Sequence, residues 1–244
     1  MAPLRPSIPD PLPIKDLDWA SLVPLIGEAR EALARFDERL KHISSLADRR
    51  WQESVSSVGI RNTEKIVYAH KALEFAIRWA KRKPLSLDFL CRVHAIVKQD
   101  ASNPSEIGRL RTLQNWIGPH GCPIEEAYFY PPRPKKVRLY MQELYRYMRS
   151  REKDPLVQLA IFFGQILIIH PFMDGNGRVA RIFVPVWLWK KGLISQPALF
   201  LSSYFEQNRT EYFKKLFLIS EKGAWEDWIA YFLKGVIQQS LLIH

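Results

Sequence analysis

Residues 170–181 read HPFMDGNGRVAR, which places an imidazole, a carboxylate, two glycines around an asparagine and two guanidinium groups in one short run. His170 has an ordinary pKa near neutrality, suited to taking a proton from a hydroxyl. Gly175, Asn176 and Gly177 open what reads as a helix. Backbone N–H groups at such a start converge on an anion, and glycine permits the close approach this needs. Arg178 and Arg181 lie three residues apart on that helix, so both can reach the same anion from one face, which suggests more than one phosphate. Asp174 precedes the glycines, and a carboxylate beside bound phosphates is the usual protein ligand for Mg²⁺. The set would hold a nucleotide's phosphates and bring a base to an incoming nucleophile, which is phosphoryl or nucleotidyl transfer. Phe172 reads as a core anchor for the loop, and Pro171 as a restraint on the turn.

Such groups need a rigid support. The apolar run LAIFFGQILII, residues 159–169, reads as a buried helix ending at His170; it is too short for a membrane span. Its proline, Pro155, falls in the first turn, and a further helix follows Gly177. A long amphipathic helix from about Asp18 is predicted by apolar residues at Leu22, Leu25, Ile26, Ala29, Leu33, Phe36 and Leu40. A second helical segment starts near Arg50, breaks around Ser57 and Asn62, and resumes as TEKIVYAHKALEFAIRWAKRK. After a break at Pro84, Ser86 is placed to cap SLDFLCRVHAIVKQ. Helical periodicity returns over 136–148, 205–220 and 225–242.

Between 101 and 134 the periodicity gives way to Asn, Pro, Gly, Arg and aromatics, with two extended apolar stretches around GPHGCP. The expectation is a mostly α bundle with a short β-hairpin flap, at about 114–132, beside the motif. The chain divides into an extended or loosely ordered Pro-rich arm (1–17), an N-terminal helical region (18–83), a catalytic core (84–222) and a C-terminal helix (223–244).

The remaining composition bounds the setting. The 244 residues are 47% hydrophobic and 12% aromatic, enough for a real core and too apolar for a disordered chain. The N-terminus lacks the apolar segment of a signal peptide, and the two cysteines, Cys91 and Cys122, fit a reducing compartment, so the expected location is cytoplasmic, with no membrane. The net charge of +11 is scattered, with its densest clusters at 81–83 and 133–136. Zinc-ligand spacing, an RNA-recognition signature and a helix-turn-helix after the core are all missing from the sequence, so nucleic acid is not the expected partner.

HPFMDGNGRVAR resembles the Fic motif, HPFx(D/E)GNGRxxR, with every specified position filled. RLRTLQNWIG and YFYPPRP resemble the Fic flap region, KKGLISQPALFLSSYFEQNRTEYFKKL resembles the helices after the Fic core, and PLPIKDLDWASLVPLIGEAREAL resembles the leader of many bacterial members. The resemblance spans roughly residues 10–240. It implies a protein adenylyltransferase that moves AMP from ATP to a Ser, Thr or Tyr hydroxyl of a target protein and releases pyrophosphate. His170 would then be the base, Asp174 the Mg²⁺ ligand, and Gly175, Asn176 and Gly177 the anion nest. Arg178 and Arg181 would reach the distal phosphates or a regulatory carboxylate. In the kinase-like branch lysine commonly stands at the position of Gly177, so AMP transfer is favoured over phosphorylation. UMP or phosphocholine transfer stays open, as does a regulatory, nucleic-acid-binding protein that keeps the fold.

The resemblance further implies a flap at about 117–130 that aligns the target's backbone as an added strand, and pairing into homodimers. Many members carry an inhibitory helix with the pattern (S/T)xxxE(G/N). The corresponding stretch here is WQESVSSVGIRNTEK, where the ungapped register puts Ser57 and Arg61 at the Ser/Thr and glutamate positions. A shift of one residue pairs Ser56 with Ile60; either register lacks the glutamate. An arginine there would repel Arg181 rather than clamp it, which predicts a weakly restrained transferase, with Glu64 one turn further on as the nearest carboxylate.

Overall fold

The computed structural model describes residues 5–42, 63–99, 104–119 and 121–242, with backbone alone at 63–66. Among these the fold is mostly α, as the periodicity predicts, and its centre is a helix with no exposed face. That helix, α5 (Pro155–Ile169), is buried along its whole length from Leu156 to Ile169. A helix apolar all round can only be surrounded by others. Around it lie α1 (Trp19–His42), α2 (Thr63–Arg82), α3 (Leu87–Val97), α4 (Pro134–Arg149), α6 (Asn176–Lys190), α7 (Ser202–Gln207), α8 (Arg209–Lys222) and α9 (Trp225–Leu241).

The start of α5 is fixed by one carboxylate. Asp154 is its N-cap, and Oδ1 accepts from the N–H of Leu156 at 2.7 Å and of Val157 at 3.2 Å. The other oxygen, Oδ2, takes Nε of Arg30 from α1 at 2.9 Å, so the cap that begins α5 also locks α1 against it. Pro155 at the first helical position lacks an N–H where none could be paired. Deeper in the core the Phe162 and Phe183 rings stack at 3.9 Å, joining α5 to α6. The expected cap of α3 is present: Ser86 Oγ accepts from Phe89 N at 3.2 Å.

Three expectations are corrected. The helix predicted over 205–220 is two helices, α7 and α8, meeting at Asn208, whose side chain turns back to donate to Tyr204 O. The Pro-rich arm is docked rather than loose: Asp10 takes Trp225 Nε1 and its carbonyl takes Gln165 Nε2, while Ser7 N–H donates to Tyr130 O at 2.8 Å. The flap is not a two-stranded hairpin among the described residues. It pairs only at Ile117 and Phe129, antiparallel. Pro119 and Pro123 cannot donate to a ladder, and a 3₁₀ turn over Ile124–Glu126 curls the returning chain. No described helix is long and apolar enough to cross a membrane.

Candidate active site

The motif lies between the end of α5 and the start of α6, and two left-handed residues bound it. His170, the C-cap of α5, has φ 49°, and Gly175, the N-cap of α6, has φ 82°. The loop between them is held by Asn176, which is 1% exposed. Its Oδ1 accepts from Phe172 N and its Nδ2 donates to Phe172 O, both at 2.9 Å. The Asn176 side chain is therefore a staple for the loop, and what it offers a ligand is its main-chain N–H. Phe172 is fully buried, as its reading as a core anchor requires.

No side chain caps α6, and the N–H groups of Asn176, Gly177 and Arg178 have no acceptor within the helix. They form an anion site at a helix N-terminus. Beside it opens a cavity of about 630 Å³ lined by His170, Gly177 and Arg181, by Ile117, Tyr128 and Phe129 of the flap, and by Tyr212, Phe213 and Phe217 of α8. His170 and the glycine turn thus face one space.

His170 Nδ1 lies 3.2 Å from Leu167 O. A carbonyl only accepts, so this nitrogen carries the proton and Nε2 keeps the lone pair. Burial lowers the ring's pKa to about 4, with the charge of Arg111 acting the same way against the opposing Leu167 carbonyl and Asp174. The imidazole is neutral at pH 7, the state a proton acceptor needs.

The two arginines do not share one face of the site. Arg178 donates to Val97 O at 3.1 Å and to Asp174 Oδ2 at 3.3 Å, which engages it on the α3 side. Arg181 lines the cavity and lies against Gly177, where a Cβ would stand 3.2 Å from its Nη2. Burial lowers its pKa. It has no ion-pair partner among the described residues, so a partly buried cation faces the cavity beside the free N–H groups, and an anion there would satisfy both.

Asp174 keeps a 67% exposed side chain while Lys98 Nζ, at 2.6 Å, and Arg178 both hold its Oδ2. Its Oδ1 accepts from Gly175 N at 2.6 Å. Burial alone would raise its pKa, but Lys98, Arg178 and the Gly175 N–H outweigh that and bring it to about 2. The described residues contain no cluster of three or more metal-ligating side chains. One hard, exposed carboxylate next to an anion site nevertheless fits Mg²⁺, which takes one or two protein carboxylates and completes its shell with phosphate and water. Ser57 and Arg61, the residues placed at the inhibitory position, lie outside the described residues.

Three supports escaped the sequence reading because their partners are distant in the chain. His94 on α3 stacks on Phe172 at 3.9 Å, donates through Nε2 to Asp174 O at 2.9 Å and accepts Gly108 N–H on Nδ1 at 3.0 Å. Both ring nitrogens are committed, and burial lowers its pKa to about 4. Lys98 follows one helical turn later. Arg111, 4% exposed, donates to the carbonyls of Leu113, Pro132, Ile169 and His170, and burial lowers its pKa to about 10. One guanidinium thereby joins both ends of the flap to the end of α5 at His170. The available signal was the spacing of His94 and Lys98, which puts the two side chains on one face of the helix.

Residues 84–188 match the sequence model of the Fic/DOC family. The chain is 25% identical over 181 residues to protein adenylyltransferase fic-1 of Caenorhabditis elegans, covering 72% of this chain and 32% of that protein. It is 30% identical over 122 residues to protein adenylyltransferase Fic of Drosophila sechellia, covering 49% of this chain and 22% of the relative. The chain thus spans a third or less of the curated relatives it matches. Among solved structures it resembles a Fic family protein from Desulfovibrio desulfuricans G20, with a TM-score of 0.72 at 18% identity, covering 95% of this chain and 75% of that one. It also resembles Fic-1 of C. elegans, with a TM-score of 0.62 at 17% identity, covering 91% and 74%. At these identities the structural likeness shows the fold.

Proposed function

Residues 84–188 form a Fic/DOC-family domain, and from that premise we propose that the chain is a protein adenylyltransferase, moving AMP from ATP to a hydroxyl side chain of a target protein. The carrying observation is that His170, the N-terminus of α6 and Arg181, which has no ion-pair partner among the described residues, meet on one cavity. That is the minimum set for moving a phosphate-bearing group: an anion seat, a charge partner and a base.

In this reading the triphosphate rests on the N–H groups of Asn176, Gly177 and Arg178, with Arg181 on its oxygens. Asp174 would hold Mg²⁺, which supplies charge neutralisation on the phosphates. His170 Nε2 takes the proton of the acceptor hydroxyl as that oxygen bonds to the α-phosphorus. The bond from that phosphorus to the bridging oxygen breaks, and pyrophosphate leaves with the electron pair. The aromatic wall of Tyr128, Phe129, Phe213 and Phe217 suits a flat base. The target reaches the cavity along the flap, whose Ile117, Tyr128 and Phe129 line it.

The test is incubation with MgATP followed by intact-mass measurement, in parallel with α-labelled UTP and CDP-choline. A gain of one adenylyl group, absent in His170→Ala, supports the reading. Transfer from the other donors alone, or a gain that survives His170→Ala, overturns it.

A further inference from the structure

The carboxylate that would receive a metal is already occupied by a cation the chain itself supplies. Lys98 is the C-cap of α3, and its ammonium sits 2.6 Å from Asp174 Oδ2. This is not a loose surface contact. The Lys98 side chain is only 19% exposed, and its stem crosses directly over Gly175, where a Cβ would come within 3.3 Å of Lys98 Cγ and 3.4 Å of Cδ. The bare glycine leaves the channel that the lysine stem runs through. The backbone at Asp174 is equally fixed, because His94 holds its carbonyl from the same helix face.

We propose that Lys98 is a tethered cation that competes with divalent metal for Asp174, so that the carboxylate binds metal weakly by itself and takes it up together with the nucleotide's phosphates. The inference rests on the functional reading above, in which Asp174 is the metal ligand. The charges around the carboxylate explain the direction. Asp174 already has two cations on Oδ2, Lys98 and Arg178, and a third, divalent charge must displace or crowd them. Arg178 is additionally tied to Val97 O, whereas among the described residues the Lys98 ammonium bonds only the carboxylate itself. Lys98 is therefore the group that yields. Bound triphosphate changes the balance, since its oxygens supply the remaining ligands a magnesium ion requires and give the displaced ammonium a new anion to face.

Mn²⁺ alone, titrated into the full chain without nucleotide and followed by electron paramagnetic resonance, tests this. Lys98→Met keeps the unbranched stem over Gly175 and removes the charge. It is expected to tighten Mn²⁺ binding about tenfold or more, because a full unit charge in contact with the ligand is lost. Lys98→Arg should stay near wild type, and adding Asp174→Asn to Lys98→Met should abolish the gain. Circular dichroism and thermal melting of each variant confirm that the fold is kept. Equal Mn²⁺ affinity in wild type and Lys98→Met overturns the inference, as does a gain that persists with Asp174→Asn. Failure of AMP transfer with the Mn²⁺ response intact would overturn the catalytic reading and leave this one standing.

Discussion

The imidazole of His94 and the ring of Phe172 lie face to face, 3.9 Å apart and 6° from parallel, and through that pair α3 carries the motif loop. The same imidazole spends both nitrogens on main chain, one on Asp174 O and one on Gly108 N–H. His94→Phe keeps the stacking surface and strands both backbone groups. The expected cost is about 2 kcal/mol, since each of the two part-buried groups left unpaired carries a penalty of about 1 kcal/mol. Melting should fall by about 4–8 °C, and AMP transfer should fall further than the stability loss accounts for. Differential scanning calorimetry and a transfer assay at a temperature where the variant is folded check both.

Acid should slow the reaction later than an ordinary histidine would suggest. With the pKa of His170 lowered to about 4 by burial, kcat/KM should reach half its plateau near pH 4 rather than near 6.5. The sign for stability follows from the same shift. The unfolded chain takes up these protons below about pH 6.5, whereas folded His170 and His94 resist them until about pH 4. Their contribution is complete above the unfolded value and is lost as pH falls from there toward 4. Denaturant melts at pH 7.5 and pH 5 should show lower stability at pH 5, with a smaller difference in His94→Phe. A rate limb at 6.5, or a stability rise on acidification, contradicts the assignment.

Gly175 is required by conformation and by neighbours together. A side chain there meets a φ of 82°, Lys98 Cγ at 3.3 Å and His94 Cδ2 at 3.4 Å. Gly192 has a comparable φ of 70° with open space around it. Both substitutions to alanine carry about 1–2 kcal/mol of backbone strain, a fall of about 2–8 °C in melting. Only Gly175→Ala should also abolish nucleotide binding, measured by calorimetric titration. Equal effects on binding would show that the neighbours of Gly175 do not matter.

Arg111 holds four carbonyls from three segments, so Arg111→Met should cost about 3 kcal/mol, the scale for breaking a buried hydrogen-bond network. Lysine at this position should recover little of that, because a single ammonium cannot span the fork. Hydrogen exchange should rise at Ile117 and Phe129, whose paired amides report on the flap. Unchanged protection there would separate Arg111 from flap order.

The helical framework was legible because its signals are local. Ser86 and Pro155 mark helix starts where the structure has them, and the apolar run before His170 is the buried α5. The motif loop was legible for the same reason, since His170, the glycine turn and Asp174, the residues to which the proposed roles fall, all lie within one short run. What sets their orientation was not. His94 and Asp174 are 80 positions apart and Arg111 and His170 are 59 apart, and periodicity says nothing about pairs at that distance. The flap pairs less than expected because two extended apolar stretches promise strands, while Pro119 and Pro123 remove donors a ladder needs. The single helix expected over 205–220 overlooked Asn208, whose amide competes with the helix for Tyr204 O.

The docked arm has a practical corollary. Because Ser7 donates to Tyr130 O where the flap rejoins the bundle, any polypeptide fused ahead of Ser7 would emerge at the threshold that the proposed acceptor protein has to cross. An affinity handle installed there would shade that doorway while leaving the nucleotide seat open. Assays of self-modification and of modification in trans would then diverge for reasons of access rather than chemistry.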